Sequence, residues 1–268
     1  MELLQQQPGV KYLTRPLISS VEAEGFDSLI DRIGVRISYA PRERIFHEND
    51  PADSLYKVIS GLVCTSKFLC DGRRQISGFY LPGDYFGFEW SDAHTLSAEA
   101  VTNAKVRQIK KSVLATVANR DAIEHLLLLA TGELARLQDR VLLLIKNAQE
   151  RVGEFILEMD KRSKVGESIL LLMTRRDIAD YLGLRIETVS RILTSLESSA
   201  AIEIPTLHEI MLRSHSVLRT AMEDQSKVAL SNPRPSQKYR RKRSDRRRHF
   251  NRSLARQRVS LEATSVQE

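Results

Sequence analysis

The chain has 268 residues, of which 42% are hydrophobic and 28% charged, an ordinary composition for a folded protein of one or two domains. Its net charge of +7 is uneven, because residues 227–268 carry 13 Lys/Arg and 3 Asp/Glu while the other 226 residues carry 28 basic and 31 acidic side chains. The basic balance is therefore no argument that the folded part binds nucleic acid. The chain opens without a secretory signal and its apolar runs are too short to span a membrane, so we expect a cytoplasmic protein without membrane contact.

The first 120 residues divide into two parts. Residues 1–34 have apolar side chains near helical spacing and predict an N-terminal helical lead. Residues 35–120 contain short β-type runs, among them RIF, LYKVISG, LVCTSKF, RRQISGFYL and AKVRQIK. The Asp71-Gly72 pair between two of these runs is a strong hairpin signal. Many short strands at this spacing predict a compact all-β roll.

A long helix is predicted next, over residues 121–158. Its apolar residues recur at alternating steps of three and four, the pattern of a coiled-coil seam. One helix packed on its own domain is one interpretation; we favour a helix pair in a homodimer, because the seam is longer than one roll needs. Leu126, Leu128, Leu142 and Leu143 lie off the seam and are expected to face the roll. The predicted dimerisation residues are Leu127, Leu134, Leu137, Val141, Leu144 and Ala148.

Residues 159–226 carry the signals of a helix-turn-helix. A hinge-like stretch at Asp160–Ser168 leads into Thr174, which with Asp177 is typical of a capped helix start. Gly183 supplies a tight turn, and a second helix is expected from Ile186. Two β-type runs follow. The basic segment 227–268 lacks apolar periodicity and is expected to be disordered in isolation.

The second helix of this motif has two opposed faces. Its apolar residues fall on one arc of a helical wheel and its polar residues on the other. A carboxylate on the polar arc is repelled by phosphate, but it can accept a hydrogen bond from cytosine N4, and arginine can donate two to guanine. The i,i+4 spacing of the acid and the arginine lets them address one G·C pair together. The polar arc holds Glu187, Ser190, Arg191 and Thr194.

The alternative for this acid–arginine pair is a surface ion pair worth a few tenths of a kcal/mol. The helix-turn-helix context favours DNA contact. Three further arginines near the motif are expected to contact phosphate. We therefore predict a DNA-binding set of Arg175, Arg176, Arg185, Ile186, Glu187, Thr188, Ser190 and Arg191.

Two segments carry a family resemblance. RRDIADYLGLRIETVSRILTSLE and DGRRQISGFYLPGDYFGFE resemble the Crp–Fnr family of bacterial transcription regulators, and most closely its Fnr and FixK branches, the latter linked to nitrogen fixation. The resemblance covers about residues 35–220. It implies an α+β fold with an N-terminal β-roll of the cyclic-nucleotide-binding jelly-roll type, a long dimerisation helix and a C-terminal winged helix-turn-helix.

The resemblance also implies a function. In the Fnr-type pattern, the residues matching Glu187, Ser190 and Arg191 contact a TTGAT half-site. Ile186 stands where the Crp branch has arginine, which favours TTGAT-like over TGTGA-like sites. We therefore expect a homodimeric activator that binds a palindromic operator on double-stranded DNA. The resemblance further implies a contact with RNA polymerase at Asp71, Gly72 and Arg73.

Departures from the family pattern argue against a bound cofactor. Cyclic-AMP binders carry a Gly-Glu run and an arginine for the phosphate; here the first region has Gly83-Asp84, and His94–Ala98 holds no arginine. Residues 1–63 contain no cysteine, which excludes an N-terminal iron–sulfur cluster on ligand count. Cys64 and Cys70 are interpreted as ordinary thiols, and the six histidines lack ligand spacing. We expect no cofactor, no metal and no enzymatic activity.

Two alternatives stay open. One is a sensor of the same fold whose roll binds haem or another small effector. The other is an RNA-binding protein that acts through its basic tail. A local departure concerns Arg185, which stands where related sequences place threonine; if this position caps the second helix, about 1 kcal/mol of stabilisation is missing.

Overall fold

The computed structural model describes residues 20–89, 91–118 and 120–222. For residues 20–25 it describes the backbone only. The predictions for residues 1–19 and for the basic tail lie outside the described residues. The elements in chain order are α1 (Ser20–Ile33), β1 (Val35–Tyr39), β2 (Arg44–Phe46), β3 (Ser54–Ser60), β4 (Val63–Phe68), β5 (Arg74–Tyr80), β6 (Tyr85–Phe86), β7 (Ser97–Ala100), β8 (Ala104–Lys110), α2 (Lys111–Val117), α3 (Arg120–Ile145), α4 (Ala148–Ser163), β9 (Lys164–Val165), β10 (Ser168–Leu170), α5 (Arg175–Leu182), α6 (Ile186–Ser198), β11 (Ile202–Thr206) and β12 (Glu209–Leu212).

The first eight strands form the predicted roll from two antiparallel sheets. Their orders are β1-β8-β3-β6 and β2-β7-β4-β5. The five β-type runs correspond to β2, β3, β4, β5 and β8, and the Asp71-Gly72 pair lies in the turn between β4 and β5, where Gly72 has φ 81°. The strands β1, β6 and β7 were not predicted from the sequence. The last two are short and are fixed by pairing with neighbouring strands, a tertiary effect that local preference does not report.

The interior of the roll is filled by aromatic side chains. Phe46, Tyr56, Tyr80 and Phe86 are buried together, and the ring of His94 stacks on Phe46 with 3.5 Å between centroids. Burial of a Phe side chain contributes about 1.5–3 kcal/mol to the free energy of folding. A second apolar cluster joins the roll to α1, α2 and the first turns of α3. The roll is therefore a packed core on which the long helix is seated.

The helix expected over residues 121–158 is two helices, so that prediction was wrong. The first ends at Ile145, and Asn147 begins the second by a capping box: its side chain accepts from the backbone N–H of Glu150 at 3.0 Å, and the Glu150 carboxylate accepts from the Asn147 backbone at 3.0 Å. This cap stabilises a new helix start at Ala148 rather than a continuous helix. Ala148, assigned to the dimerisation seam, is instead the first residue of α4.

The C-terminal unit combines α4, α5 and α6 with the sheet β11-β12-β10-β9. The hinge-like stretch Asp160–Ser168 is not a hinge, because it contains the end of α4, the strand β9 and the start of β10. Asp160 is buried there, with its carboxylate 2.9 Å from His215 Nε2 and 3.2 Å from Lys164 Nζ. The helix-turn-helix and its β hairpin confirm the predicted winged fold. Among the described residues, no helix has the length and apolar character of a membrane span.

Candidate nucleic-acid interface

The helix-turn-helix is built from local signals. Thr174 caps α5, since its hydroxyl accepts from the Asp177 N–H at 3.2 Å while the Asp177 carboxylate accepts from the Thr174 N–H at 3.0 Å. Gly183 ends α5 at φ 64° and ψ 36°, a left-handed conformation that other residues adopt only with strain. The second helix, α6, begins at Ile186 as predicted. These three features set the angle between the two helices.

The two faces of α6 are separated as the helical wheel indicates. Val189, Ile192, Leu193 and Leu196 are buried and hold the helix against its own domain. On the opposite face the side chains meet solvent rather than protein. The exposed residues of this face are Glu187, Ser190, Arg191 and Thr194.

Glu187 and Arg191 are both available to a ligand. Each is exposed, and neither forms an ion pair with another described residue. The structure therefore presents one acceptor group and one donor group a single helical turn apart. Thr188 and Ile186, also in the predicted DNA-binding set, are half-buried beside them.

The three arginines assigned to phosphate contact differ in environment. Arg176 and Arg185 are exposed. Arg175 is partly buried, with Nη1 shielded from solvent and without a hydrogen-bond partner among the described residues. Burial lowers the pKa of the Arg175 guanidinium, against the opposing effect of Glu197. Arg185 occupies the N-cap of α6, and its side chain makes no capping hydrogen bond, so the expected stabilisation of about 1 kcal/mol is absent there.

The first helix of the motif rests against the roll. Phe79 of β5, Phe155 of α4 and Tyr181 of α5 pack together, with ring centroids 5.1–6.5 Å apart. All three side chains are buried. This contact was not predicted, because nothing in the spacing of the three aromatic residues relates strand to helix.

The third helix carries an exposed apolar stripe. Leu127, Leu134 and Val141 are 64%, 56% and 63% exposed, and Leu137 and Leu144 are exposed beside them. The four leucines off the seam differ in exposure. Leu126 packs beneath the roll and Leu143 is buried, whereas the expectation was wrong for Leu128 and Leu142, which are exposed.

The tip of the β4–β5 hairpin projects from the roll. Asp71 and Arg73 are exposed and form an ion pair at 2.7 Å across Gly72. Phe68 and Leu69 are also exposed at its base. The tip thus offers two charges and a small apolar surface.

Two polar residues of the roll, Asp84 and His94, are held by neighbouring side chains. Asp84 faces the helices, where its carboxylate is 2.8 Å from Arg162 and 3.3 Å from Arg136. His94 is buried against the Glu89 carboxylate, and its Nε2 has no partner among the described residues.

The described residues contain no cluster of three or more His, Cys, Asp or Glu side chains arranged to hold a metal. Cys64 is buried, and burial raises the pKa of its thiol to about 12, which keeps it protonated. Cys70 is exposed in the β4–β5 turn. Both thiols are free.

Comparisons with known proteins agree with this architecture. A model of the cyclic nucleotide-binding domain matches residues 36–121, and a model of the Crp-like helix-turn-helix domain matches residues 150–221. The nitrogen fixation regulation protein FixK of Azorhizobium caulinodans is 42% identical over 199 residues, which cover 71% of this chain and 80% of that protein. FixK of Rhizobium meliloti is 37% identical over 187 residues, covering 68% of this chain and 85% of that protein.

A solved structure gives the same result. FixK2 from Bradyrhizobium japonicum superposes with a TM-score of 0.68 at 42% identity, over 70% of this chain and 97% of that chain. Roll, helix-turn-helix and relatives together identify a regulator rather than an enzyme. The chain belongs to the Crp–Fnr family of transcription regulators, among its FixK-type members.

Proposed function

We propose that the protein is a homodimeric activator that binds a palindromic operator with TTGAT-like half-sites. The observation that carries this proposal is the exposed polar face of α6, opposite a fully buried apolar face. A helix anchored in this way can enter the major groove, which is wide enough for it, without exposing its core residues.

Glu187 and Arg191 supply base discrimination. The arginine donates to guanine O6 and N7, and the carboxylate accepts from cytosine N4. Ser190 lies between them for a neighbouring base. Arg176 and Arg185 contribute phosphate contacts that orient the helix without selecting sequence. Arg175, whose Nη1 is shielded from solvent, needs a change of side-chain conformation to make the same contact.

The exposed stripe of α3 is the dimer interface in this proposal. Its leucine and valine side chains lie on one side of a helix of 26 residues, and exposed apolar patches of this extent mark protein contacts. Pairing two such helices brings two copies of α6 to half-sites about one helical turn apart on DNA. The sequence dyad of the operator then mirrors the dyad of the dimer.

The dimer acts without a bound effector in this proposal. Support comes from the aromatic filling of the roll and from the pairing of Asp84 with Arg136 and Arg162. The alternative is an effector-gated sensor that binds haem or a small molecule in the roll, which the match to a cyclic nucleotide-binding model favours. A Soret band or a stoichiometric nucleotide in the purified protein would establish that alternative.

The hairpin tip at Asp71, Gly72 and Arg73 is proposed as the contact with RNA polymerase. The charged side chains of Asp71 and Arg73 are exposed. Reversing Asp71 and Arg73 together should reduce transcription in a purified system while operator binding is retained.

Selection of bound duplexes from a random pool tests the main proposal. We expect enrichment of a palindrome with TTGAT-like arms, obtained equally from a chain that ends at residue 226. Enrichment of asymmetric or unrelated sites would overturn the proposed operator. Loss of all duplex binding on truncation would favour action through the tail.

A further inference from the structure

The first helix of the motif, α5, is held by side chains from three other elements. We define the α5 clamp as Arg74 and Gln75 of β5, Arg140 of α3 and Arg151 of α4. The clamp residues donate hydrogen bonds to the acidic side chains of α5 and to its last carbonyl groups.

Arg74 binds the acidic side of α5. Its Nη1 donates to Asp177 at 2.8 Å and lies 3.4 Å from Asp180, while Nη2 is held by Glu99 of the roll. Its side chain is 17% exposed, so these pairs are shielded from solvent screening. The pKa of Asp177 is lowered: burial acts to raise it, and hydrogen bonds from Thr174 and Arg74 outweigh that effect.

The other clamp residues bind the C-terminal end of α5. The last carbonyls of a helix have no partner within it and must be satisfied from outside. Gln75 donates to Asp180 O at 2.7 Å, Arg140 to Tyr181 O at 2.5 Å, and Arg151 to Leu182 O at 3.0 Å.

Arg140 connects all three parts of the molecule. The same Nη2 donates to Ile76 O of β5 at 2.5 Å, and the guanidinium lies over the Tyr181 ring at 3.9 Å. Arg140 therefore links α3, the helix that carries the apolar stripe, to the roll and to the helix-turn-helix. Such a link fixes the orientation of α5, and α6 follows through the single left-handed turn at Gly183.

From this geometry we infer that Arg74, Gln75 and Arg140 are positioning residues that set the separation and orientation at which the two copies of α6 meet an operator. The inference rests on the proposed function. These residues touch no DNA; they act by keeping α5 in one place relative to α3. Operator selectivity therefore depends on the side chains of α6 and on the clamp residues that fix the orientation of α6.

Affinity for the palindrome relative to a single half-site tests the inference. Joining two binding modules raises affinity by roughly 10²–10⁴-fold when both engage without strain. In Gln75→Ala and Arg74→Lys this advantage should fall at least about tenfold, while half-site affinity and the salt dependence of binding stay unchanged. Gln75→Ala leaves the shielded ion pairs of Arg74 in place, so it remains informative where Arg74→Lys fails to fold.

Lys67→Gln is the matched control. Lys67 lies on the same hairpin and pairs with Glu48 within the roll, at 2.7 Å. The control should keep the full palindrome advantage. An unchanged advantage in both clamp variants, or an equal fall in palindrome and half-site affinity, overturns the positioning role.

Hydrogen exchange of the full chain without DNA separates this inference from the proposed function. Gln75→Ala and Arg74→Lys should speed exchange in α5 and α6 but not in the roll, with Lys67→Gln unchanged. If the unmodified chain shows no palindrome advantage, the proposed operator is wrong. Hydrogen exchange then tests by itself whether the clamp residues position α5. Unchanged exchange in α5 then refutes it.

Discussion

Helices α3 and α6 both expose one face, and the chemistry of the two faces is opposite. The stripe on α3 is leucine and valine, with Leu127 64% exposed, whereas α6 exposes glutamate, serine, arginine and threonine. An apolar stripe gains free energy by leaving water, at about 25 cal/mol per Å². A polar face gains little from burial alone and needs partners placed to receive its hydrogen bonds. Exposure by itself therefore does not define a site; the kind of surface exposed indicates the kind of partner.

Removing the arginine from the polar face should have the largest effect. Arg191→Ala deletes the proposed bidentate donor to guanine, so specific operator binding should be lost and only weak, salt-sensitive association retained. Competition between operator and unrelated duplex measures this difference. Lys110→Ala, at a surface ion pair on the roll, is the control and should bind as the parent does. Retained preference for the operator in Arg191→Ala would show that Arg191 does not select the base.

Placing a charge on the apolar stripe should break the dimer. Leu137→Asp introduces a carboxylate at the middle of the proposed seam, where burial without a partner costs several kcal/mol. Light scattering should report monomers, and operator affinity should fall with the dimer. Val35→Asp changes an apolar residue on the roll that is 64% exposed, against 43% for Leu137, and should stay dimeric. A surviving Leu137→Asp dimer would place the interface elsewhere.

Removing the acid from the polar face should alter selectivity more than affinity. Glu187→Ala should relax the choice at one base pair of each half-site by about 1–3 kcal/mol, because only the acceptor for cytosine is lost. Binding to operators substituted one position at a time measures the change. Glu167→Ala, exposed in the turn between β9 and β10, should leave every position unaffected. An unaltered base preference would remove Glu187 from the proposed contact.

The smallest expected effect lies at the start of α6. Arg185→Thr supplies the missing cap and should raise the free energy of unfolding by about 1 kcal/mol. The same change removes a proposed phosphate contact, so the slope of log affinity against log salt should fall by about one in magnitude per half-site. Chemical denaturation and a salt series report the two effects separately. Equal stability before and after the change would mean that Arg185 already satisfies the helix end by another route.

Local signals were sufficient for the motif but not for its surroundings. Thr174, Gly183 and the period of α6 each act over a few residues, so their structural consequences were predicted correctly. The break before Ala148 was missed because the heptad spacing continues across it, although Asn147 and Glu150 carry a capping-box pattern. The α5 clamp was beyond prediction, since Arg74 and Asp177 are 103 positions apart and no local pattern pairs them.

The junction between α3 and α4 has a mechanical consequence. Only Lys146 and Asn147 separate the two helices, and Arg151 ties the junction by donating to Leu144 O at 2.5 Å and Lys146 O at 2.9 Å. Each residue inserted into α3 would turn everything that follows by about 100° and advance it by about 1.5 Å. The length of α3 therefore sets the rotation of the residues that follow it as well as their distance from the roll. In the proposed dimer, a single insertion before Asn147 would rotate α6 out of alignment with its counterpart in the partner.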